Sequence, residues 1–395
     1  MNIYIYNCPN TFNYGSMMMG ENFINYFNST SNFPNKYYIE TLEEINIERL
    51  KSATDYKDIY PVKMKSLFKS NINKFDYIFS FLGFKDVLSD FLKKINLVVV
   101  LGGDDFTEDY GWQGPIMNSL RFNLIVRAGV PVVMLGQTMG PYHSFRKPLM
   151  KILLGKITKI YPRDPITYEY LEDLGLGNIS ITDDLALLPL YKQNNIKKSK
   201  EFITYCPSEQ IYRYAKEGNR DSWVNFNLFM IETIMDRYPN KKLVLLSHVL
   251  KPEEVNDSII TNELYNLVQN KYANKIILKS EPMLPFETRD FIQQSFFVIS
   301  SRMHPIISSI QCEIPSIAFS YSSKYWGIIG SRYNMEDFIL DVRYLDYEIM
   351  KQKFIMILEK IENSYNDIQD DLLKKNNQAK KNINSNLEDI CRIVQ

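Results

Sequence analysis

Histidine is nearly absent from this chain of 395 residues, which has only three. Each one closes an apolar run at a polar turn: His143 ends PVVMLGQTMGPYH, His248 ends KLVLLSH and His304 ends FFVISSRMH. Cysteine is scarce as well. Cys8, Cys206, Cys312 and Cys391 lie far apart without paired spacing, which speaks for a reducing compartment and against a disulfide framework or a zinc site. Net charge is missing altogether, with 46 Lys plus Arg against 46 Asp plus Glu. No net field exists to gather polyanions, which argues against a dedicated nucleic-acid binder. No apolar run approaches the ~20 residues that span a bilayer. The start, MNIYIYNCPN, alternates like a strand instead of offering a basic stretch and an apolar signal core. Also missing are the GxxxxGK phosphate loop, the GxSxG elbow, HExxH and any glycine-rich dinucleotide fingerprint, which argues against nicotinamide and flavin enzymes. No metal or resident cofactor is expected, and the cytoplasm is the expected location.

What is present suits a globular enzyme. Hydrophobic residues make up 45% and aromatics 13%, enough for substantial cores. A single core stops growing at roughly 250 to 300 residues, so two domains are expected. Short apolar runs alternate with longer amphipathic ones, the pattern of parallel sheets covered by helices. In the first half strands are expected at 3–6, 37–41, 76–81, 97–101, 131–135, 159–161 and 179–182, and helices at 16–27, 86–94, 115–128, 144–155 and 165–174. The last of these is well punctuated, with Asp164 to cap it, Pro165 to start it and Gly175 to stop it. The polar run YKQNNIKKSK over 191–200 then reads as a linker. A second series follows, with strands at 202–206, 243–247, 275–279, 296–300 and 315–320, and helices at 222–237, 258–271, 286–294, 305–311 and 346–361. The expected class is therefore α/β, with two Rossmann-like domains (1–190 and 201–345) facing one another across a cleft. Helices are expected over 346–395, the final stretch packing as a terminal helix across the domains or partly frayed.

Several strand ends carry chemistry, where open α/β sheets bind ligands. Arg302 and His304 follow a short strand and precede Pro305, which is favoured at the first position of a helix. Helix amides, a guanidinium fork and Lys324 downstream together suggest an anion site. Gly102-Gly103-Asp104-Asp105 is a glycine turn delivering two carboxylates to the edge of a sheet. Gln137 sits in a small polar loop after Leu135, Arg163 precedes the cap of the helix that starts at Pro165, and Asp183 and Asp184 follow the strand ISIT. A salt bridge between Arg163 and a neighbouring aspartate is the competing reading for that arginine.

The order of these pieces resembles the polysaccharide pyruvyl transferase family from near the N-terminus to about residue 340. The matching segments are GGDD (102–105), VRAGVPVVMLGQTMGP (126–141), YPRDPITYEYLEDLG (161–175), ITDDLALLPL (181–190) and VISSRMHPIISSIQCEIPSIAFSYSSKYWGIIG (298–330). The resemblance implies a fold like that of GT-B glycosyltransferases, and transfer of a pyruvyl group from phosphoenolpyruvate, as co-substrate, to a saccharide as a ketal. It implies that Arg163, Arg302, His304 and Lys324 form the donor site, with the aspartates and the N-terminal loop nearer the acceptor. The candidate site then comprises His304, Asp184 and Asp105 for catalysis; Arg163, Arg302, Lys324 and His248 for the donor; and Asn13, Gly15, Asp104 and Gln137 for the acceptor. The family often shows Asn-x-Gly-Asp in its first loop, whereas this chain has Asn13-Tyr14-Gly15-Ser16. The other reading left open is a GT-B-type glycosyltransferase whose nucleotide-sugar diphosphate occupies the same basic helix N-terminus.

The residue types suit the first chemistry. Phosphoenolpyruvate has a phosphate and a carboxylate on a three-carbon enol, so cations must hold two anions while one group protonates the methylene carbon. Expected partners are thus a small-molecule donor and a saccharide or lipid-linked acceptor, and no nucleic acid. Between Tyr60 and Phe75, Lys63, Lys65, Lys69 and Lys74 interleave with Met64, Leu67, Phe68 and Ile72. A helix there would either offer a basic edge for a peripheral contact at the inner face of the membrane or be an ordinary surface helix whose apolar face packs on the first domain.

Overall fold

In the computed structural model, which describes every residue except Pro9, Tyr110 and Lys197, the apolar runs of the first half become one parallel sheet. Its strands are β1 (Asn2–Tyr6), β2 (Lys36–Ile39), β3 (Ile59–Pro61), β4 (Leu97–Phe106), β5 (Val132–Met139) and β6 (Lys159–Pro162). They are ordered β3-β2-β1-β4-β5-β6. Ile3 lies opposite both Tyr37 and Leu97, and Leu101 opposite Leu135. Leu97 to Leu101 are wholly buried, as expected of a central parallel strand covered on both faces. Each such aliphatic side chain contributes about 1.5–3 kcal/mol by leaving water. The connecting helices are α1 (Tyr14–Thr30), α2 (Glu44–Thr54), α3 (Lys74–Phe81), α4 (Gln113–Arg127), α5 (Arg146–Leu154) and α6 (Pro165–Asp173).

The second half repeats the plan. Strands β7 (Phe202–Cys206), β8 (Lys242–Leu246), β9 (Ile276–Lys279), β10 (Ser295–Ser300), β11 (Ser316–Ser320) and β12 (Ile339–Asp341) are ordered β12-β11-β10-β7-β8-β9. Counted from β7 this is the order of the first sheet, the Rossmann arrangement. Its helices are α7 (Arg220–Arg237), α8 (Ser258–Val268), α9 (Pro285–Gln293), α10 (Met303–Gln311), α11 (Tyr347–Asn363) and α12 (Tyr365–Ile393). Strand order reverses between β1 and β4 in one sheet and between β7 and β10 in the other, the two places where such sheets bind ligands. The α/β class with two Rossmann-like sheets is as expected.

Two units result. The first comprises Met1–Thr11, Ser16–Leu185 and Ala379–Gln395, and the second Phe12–Gly15 and Ala186–Gln378. Helix α12 is shared between them: the Asn376 amide donates to the Ile310 carbonyl at 2.5 Å in the second unit, whereas Asn382 donates to Asp183 at 2.9 Å in the first. Residues 191–200 contain no helix or strand among the described residues, and Lys197 of that run lies outside them.

Four local expectations are corrected. Residues 76–81 are helical, not extended: Asn73 accepts from the amides of Phe75 and Asp76 while Asp76 accepts from that of Asn73. This capping box outweighs the strand preference of an aromatic run. Residues 86–94 hold only a short 3-10 turn at Leu92–Lys94, and Leu88 bridges Phe68 instead. The strand at 179–182 reduces to a single bridge from Ile179 to Ile160. The basic amphipathic helix over 60–75 does not form. Instead β3 ends at Pro61, a 3-10 turn spans Met64–Leu67, and Met64, Leu67 and Phe68 enter the core of the first unit. Sequence periodicity also missed α2, β3 and β12. Among the described residues no helix is long and apolar enough to cross a membrane.

Candidate functional site

The switch point of the second sheet is built around Arg302 and His304. Strand β10 ends at Ser300, whose hydroxyl accepts from the Arg302 amide at 2.9 Å and donates to its carbonyl at 2.8 Å. This turn aims the chain into α10, which begins at Met303. Pro305 was expected at the first helical position. It stands third, still within the turn whose amides lack intrahelical partners, so its missing N–H costs nothing.

Arg302 is buried, and its side chain is committed within the protein. Nε and Nη2 grip Asp257 at 2.8–3.2 Å, Nη2 also donates to the Val255 carbonyl at 2.9 Å, and Nη1 reaches Gln210 at 3.3 Å. Asp257 also accepts from the amides of Val249 and Glu209. Burial raises its pKa, against which the Arg302 charge and these hydrogen bonds act. One ion pair thus pins the loops that follow β7, β8 and β10. Four N–H donors of the expected anion-binding fork are thus directed at Asp257, Val255 and Gln210.

His304 lies in the first turn of α10, half-buried. Its ring fills the space beside Gly15, where a Cβ would stand 2.1 Å from Nδ1. The segment holding Gly15 is stitched onto the second unit. Phe12 accepts from the amide of Leu250 at 3.0 Å, Asn13 bridges Val249, and Tyr14 donates to the His248 carbonyl at 3.3 Å. The Tyr14 hydroxyl accepts from Met283 at 2.8 Å, and its ring meets that of His248 edge-on at 5.3 Å. Gly15, expected on the acceptor side of the first domain, thus lies against His304, while Asn13, expected there too, pairs with Val249. His248 is wholly buried, with no hydrogen-bond partner for Nε2 among the described residues. Burial, then the charges of His304, Arg302 and Arg289, hold its pKa well below the usual histidine range. Burial therefore disfavours the charged form of His248.

Lys324 follows β11, half-buried, with Nζ 5.2 Å from the centre of the Tyr321 ring. The adjacent Tyr325 hydroxyl donates to the Ser301 carbonyl at 3.2 Å, tying the lysine-bearing turn to the one before His304. A π-helical stretch, Trp326–Arg332, comes next; such stretches gather at functional sites.

The remaining candidates lie in the first unit. Arg163 is 1% exposed; Nη1 pairs with Asp184 at 2.7 Å and Nε donates to Thr138 at 3.0 Å. Asp164 caps α6 as expected, accepting from the Thr167 amide at 2.8 Å. Gln137 is fully buried and donates to the carbonyls of Val100 and Leu101. Arg163, Asp184 and Gln137, expected to meet substrate, are buried and have the partners inside the protein that buried polar groups need. Asp104 closes its turn through its carbonyl, which accepts from Thr107, while exposed Asp105 accepts from Asn7 at 2.7 Å. Sequence reasoning missed Tyr14 and Asp257, whose partners Met283 and Arg302 are distant in sequence.

Gly15→Ala is expected to destabilise the protein by about 1–3 kcal/mol, the cost of overpacking a filled site, because the imidazole must move to admit the methyl group. Urea denaturation measures this, and an unchanged midpoint would mean that the ring swings aside freely.

A family model described as polysaccharide pyruvyl transferase matches residues 13–323. No curated protein matches the chain. Among solved structures, S. aureus MnaA with UDP is 11% identical, covering 94% of this chain and 90% of that one with a TM-score of 0.55. The UDP-GlcNAc 2-epimerase of Neisseria meningitidis bound to UDP-GlcNAc is 13% identical over 94% of both chains, again at 0.55. The glycotransferase of kitacinnamycin is 8% identical over 98% of both, at 0.54. At these identities the likeness establishes the fold.

Proposed function

The chain belongs to the polysaccharide pyruvyl transferase family, and on that premise we propose that it transfers the pyruvyl group of phosphoenolpyruvate to a saccharide as a cyclic ketal. The observation that carries this reading is His304, in the first turn of α10 against Gly15, with buried His248 beside it and Lys324 on a turn tied to its own. The amides of the first turn of α10 and the Lys324 ammonium receive the donor anions. Arg302 serves by holding the loops in register. His304 gives its proton to the methylene carbon, which becomes a methyl group and leaves an oxocarbenium-like centre. One sugar hydroxyl adds there, the carbon–oxygen bond to phosphate breaks, and a second hydroxyl closes the ring. Of the two hydroxyl protons, one replaces that given by His304 and the other leaves with phosphate. A general acid of this kind contributes ~10²- to 10⁴-fold.

Thermal denaturation with phosphoenolpyruvate, and separately with UDP-GlcNAc, tests the donor. Phosphoenolpyruvate at about one hundred times its Kd is expected to stabilise the protein by about 2.7 kcal/mol. Stabilisation by UDP-GlcNAc with none by phosphoenolpyruvate would reverse the proposal in favour of a nucleotide-sugar transferase.

A further inference from the structure

Helix α3 buries its polar side. A surface helix ordinarily turns its apolar stripe to the core, yet the buried residues of α3 are Asp76, Tyr77 and Ser80. Local contacts fix this orientation. Asp76 closes the capping box with Asn73 and accepts from Lys85 Nζ at 2.7 Å, and the Ser80 carbonyl accepts from Arg127 at 3.3 Å. The Tyr77 ring meets Phe68 edge-on at 5.0 Å, with the Arg121 guanidinium over it. What remains outside is Phe75, Ile78, Phe79 and Leu82, spaced i, i+3, i+4 and i+7 and therefore on one face. Gly83, with φ of 89°, ends the helix: its amide donates to the Ser80 carbonyl and that of Phe84 to the Phe79 carbonyl. This closure folds Phe84 back towards the same face. The five apolar side chains are 40% to 79% exposed.

Scattered exposed apolar residues need no explanation, but five on one short helix and its cap form a patch of the kind that meets another surface. Its surroundings are basic. Residues 63–94 contain seven lysines against three aspartates, in a chain of zero net charge. Each aspartate is paired with a lysine: Asp76 with Lys85, Asp86 with Lys69 at 2.6 Å and Asp90 with Lys93 at 2.7 Å. The surplus is therefore positive. Exposed Lys74 opens the helix. At its other end Arg127 and Lys85 line a cavity of about 330 Å3 together with Phe84, and Lys156 stands 4.4 Å from the centre of the Phe81 ring. A two-fold contact between copies of this chain would set the same basic rim against itself. A bilayer with anionic headgroups complements both the apolar face and its rim.

We infer that α3 and the turn after it dock the first unit on an anionic lipid bilayer, with the helix lying in the interfacial plane. Phe75, Ile78, Phe79, Leu82 and Phe84 enter the boundary between headgroups and acyl chains, while Lys74, Lys156 and the cavity beside Arg127 and Lys85 receive lipid phosphates. A free peptide of this length would first have to become helical on the membrane. Here the capping box and the contacts behind Tyr77 hold the helix in place before it binds. No residue of the site around His304 takes part.

Flotation with vesicles of phosphatidylcholine mixed with phosphatidylserine, and of phosphatidylcholine alone, provides the test. The full chain is expected to float with the mixed vesicles at low salt, to be released as salt rises, and to stay behind with phosphatidylcholine alone. Phe79→Ser combined with Phe84→Ser is expected to weaken the association at least ~100-fold with little change in the thermal midpoint, since both rings are exposed. Lys74→Gln combined with Lys156→Gln is expected to weaken it at least ~10-fold. Hydrogen exchange of the unaltered protein is expected to slow over residues 75–84 when mixed vesicles are added. Absence of flotation at low salt would overturn the inference, as would flotation indifferent to the phenylalanine pair or protection confined to other segments. Sedimentation showing a dimer that the phenylalanine substitutions dissolve, without flotation, would assign the face to a second copy of the chain instead. Should the phenylalanine variant unfold, the hydrogen-exchange footprint decides by itself.

Discussion

His304→Gln is expected to retain the fold and lose nearly all turnover, by ~10²- to 10⁴-fold, the range of a general acid. Glutamine keeps a donor near the position of the ring but cannot release a proton to carbon. The neighbouring histidine offers no rescue, since burial of His248 disfavours its charged form. The change also leaves intact the Arg302–Asp257 pair and the Ser300 turn that set the geometry. Stabilisation by phosphoenolpyruvate is therefore expected to persist. Calorimetry and phosphate release on the same preparation separate the two effects. Near-normal turnover in His304→Gln would remove His304 from the acid role, whereas loss of both binding and rate would make it chiefly a donor ligand.

The strand-end rule read much of this from sequence, because both sheets follow a pattern in which local signals dominate. Apolar runs gave ten of the twelve strands, and Asp164, Pro165 and Gly175 gave the limits of α6. The same rule put His248 and His304 where the second sheet presents ligands. What it could not read was the choice of partner. Arg302 looks like a free anion fork until Asp257, 45 residues away, occupies it, and Gly15 looks like a loop glycine until His304 fills its missing side chain. Burial of a charge is decided by contacts distant in sequence, which periodicity does not record. Short elements such as β3 and β12, three residues each, escaped for the related reason that their pairing, not their composition, makes them strands.

Arg163 presents the same ambiguity on a larger energetic scale. Its side chain and that of Asp184 are 1% and 0% exposed, so either charge alone would sit in the protein interior without water. Removing one partner of such a pair costs about 3–5 kcal/mol, chiefly through the charge left behind, whereas replacing both with apolar residues is often neutral. Arg163→Leu is accordingly expected to lower stability by about that amount, and Arg163→Leu combined with Asp184→Leu to recover most of it. Urea denaturation of the two variants gives the comparison. On the proposed donor site at α10, phosphoenolpyruvate is expected to stabilise the double variant as it does the unaltered protein, since Arg163 ties the end of β6 to Thr138 of β5 and to Asp184. A single variant of normal stability that no longer responds to phosphoenolpyruvate would restore Arg163 to the donor site. Loss of stability in the single variant, regained in the double variant together with a normal response, would identify the pair as a structural clamp, because only a clamp can be replaced by two leucines without consequence for the ligand.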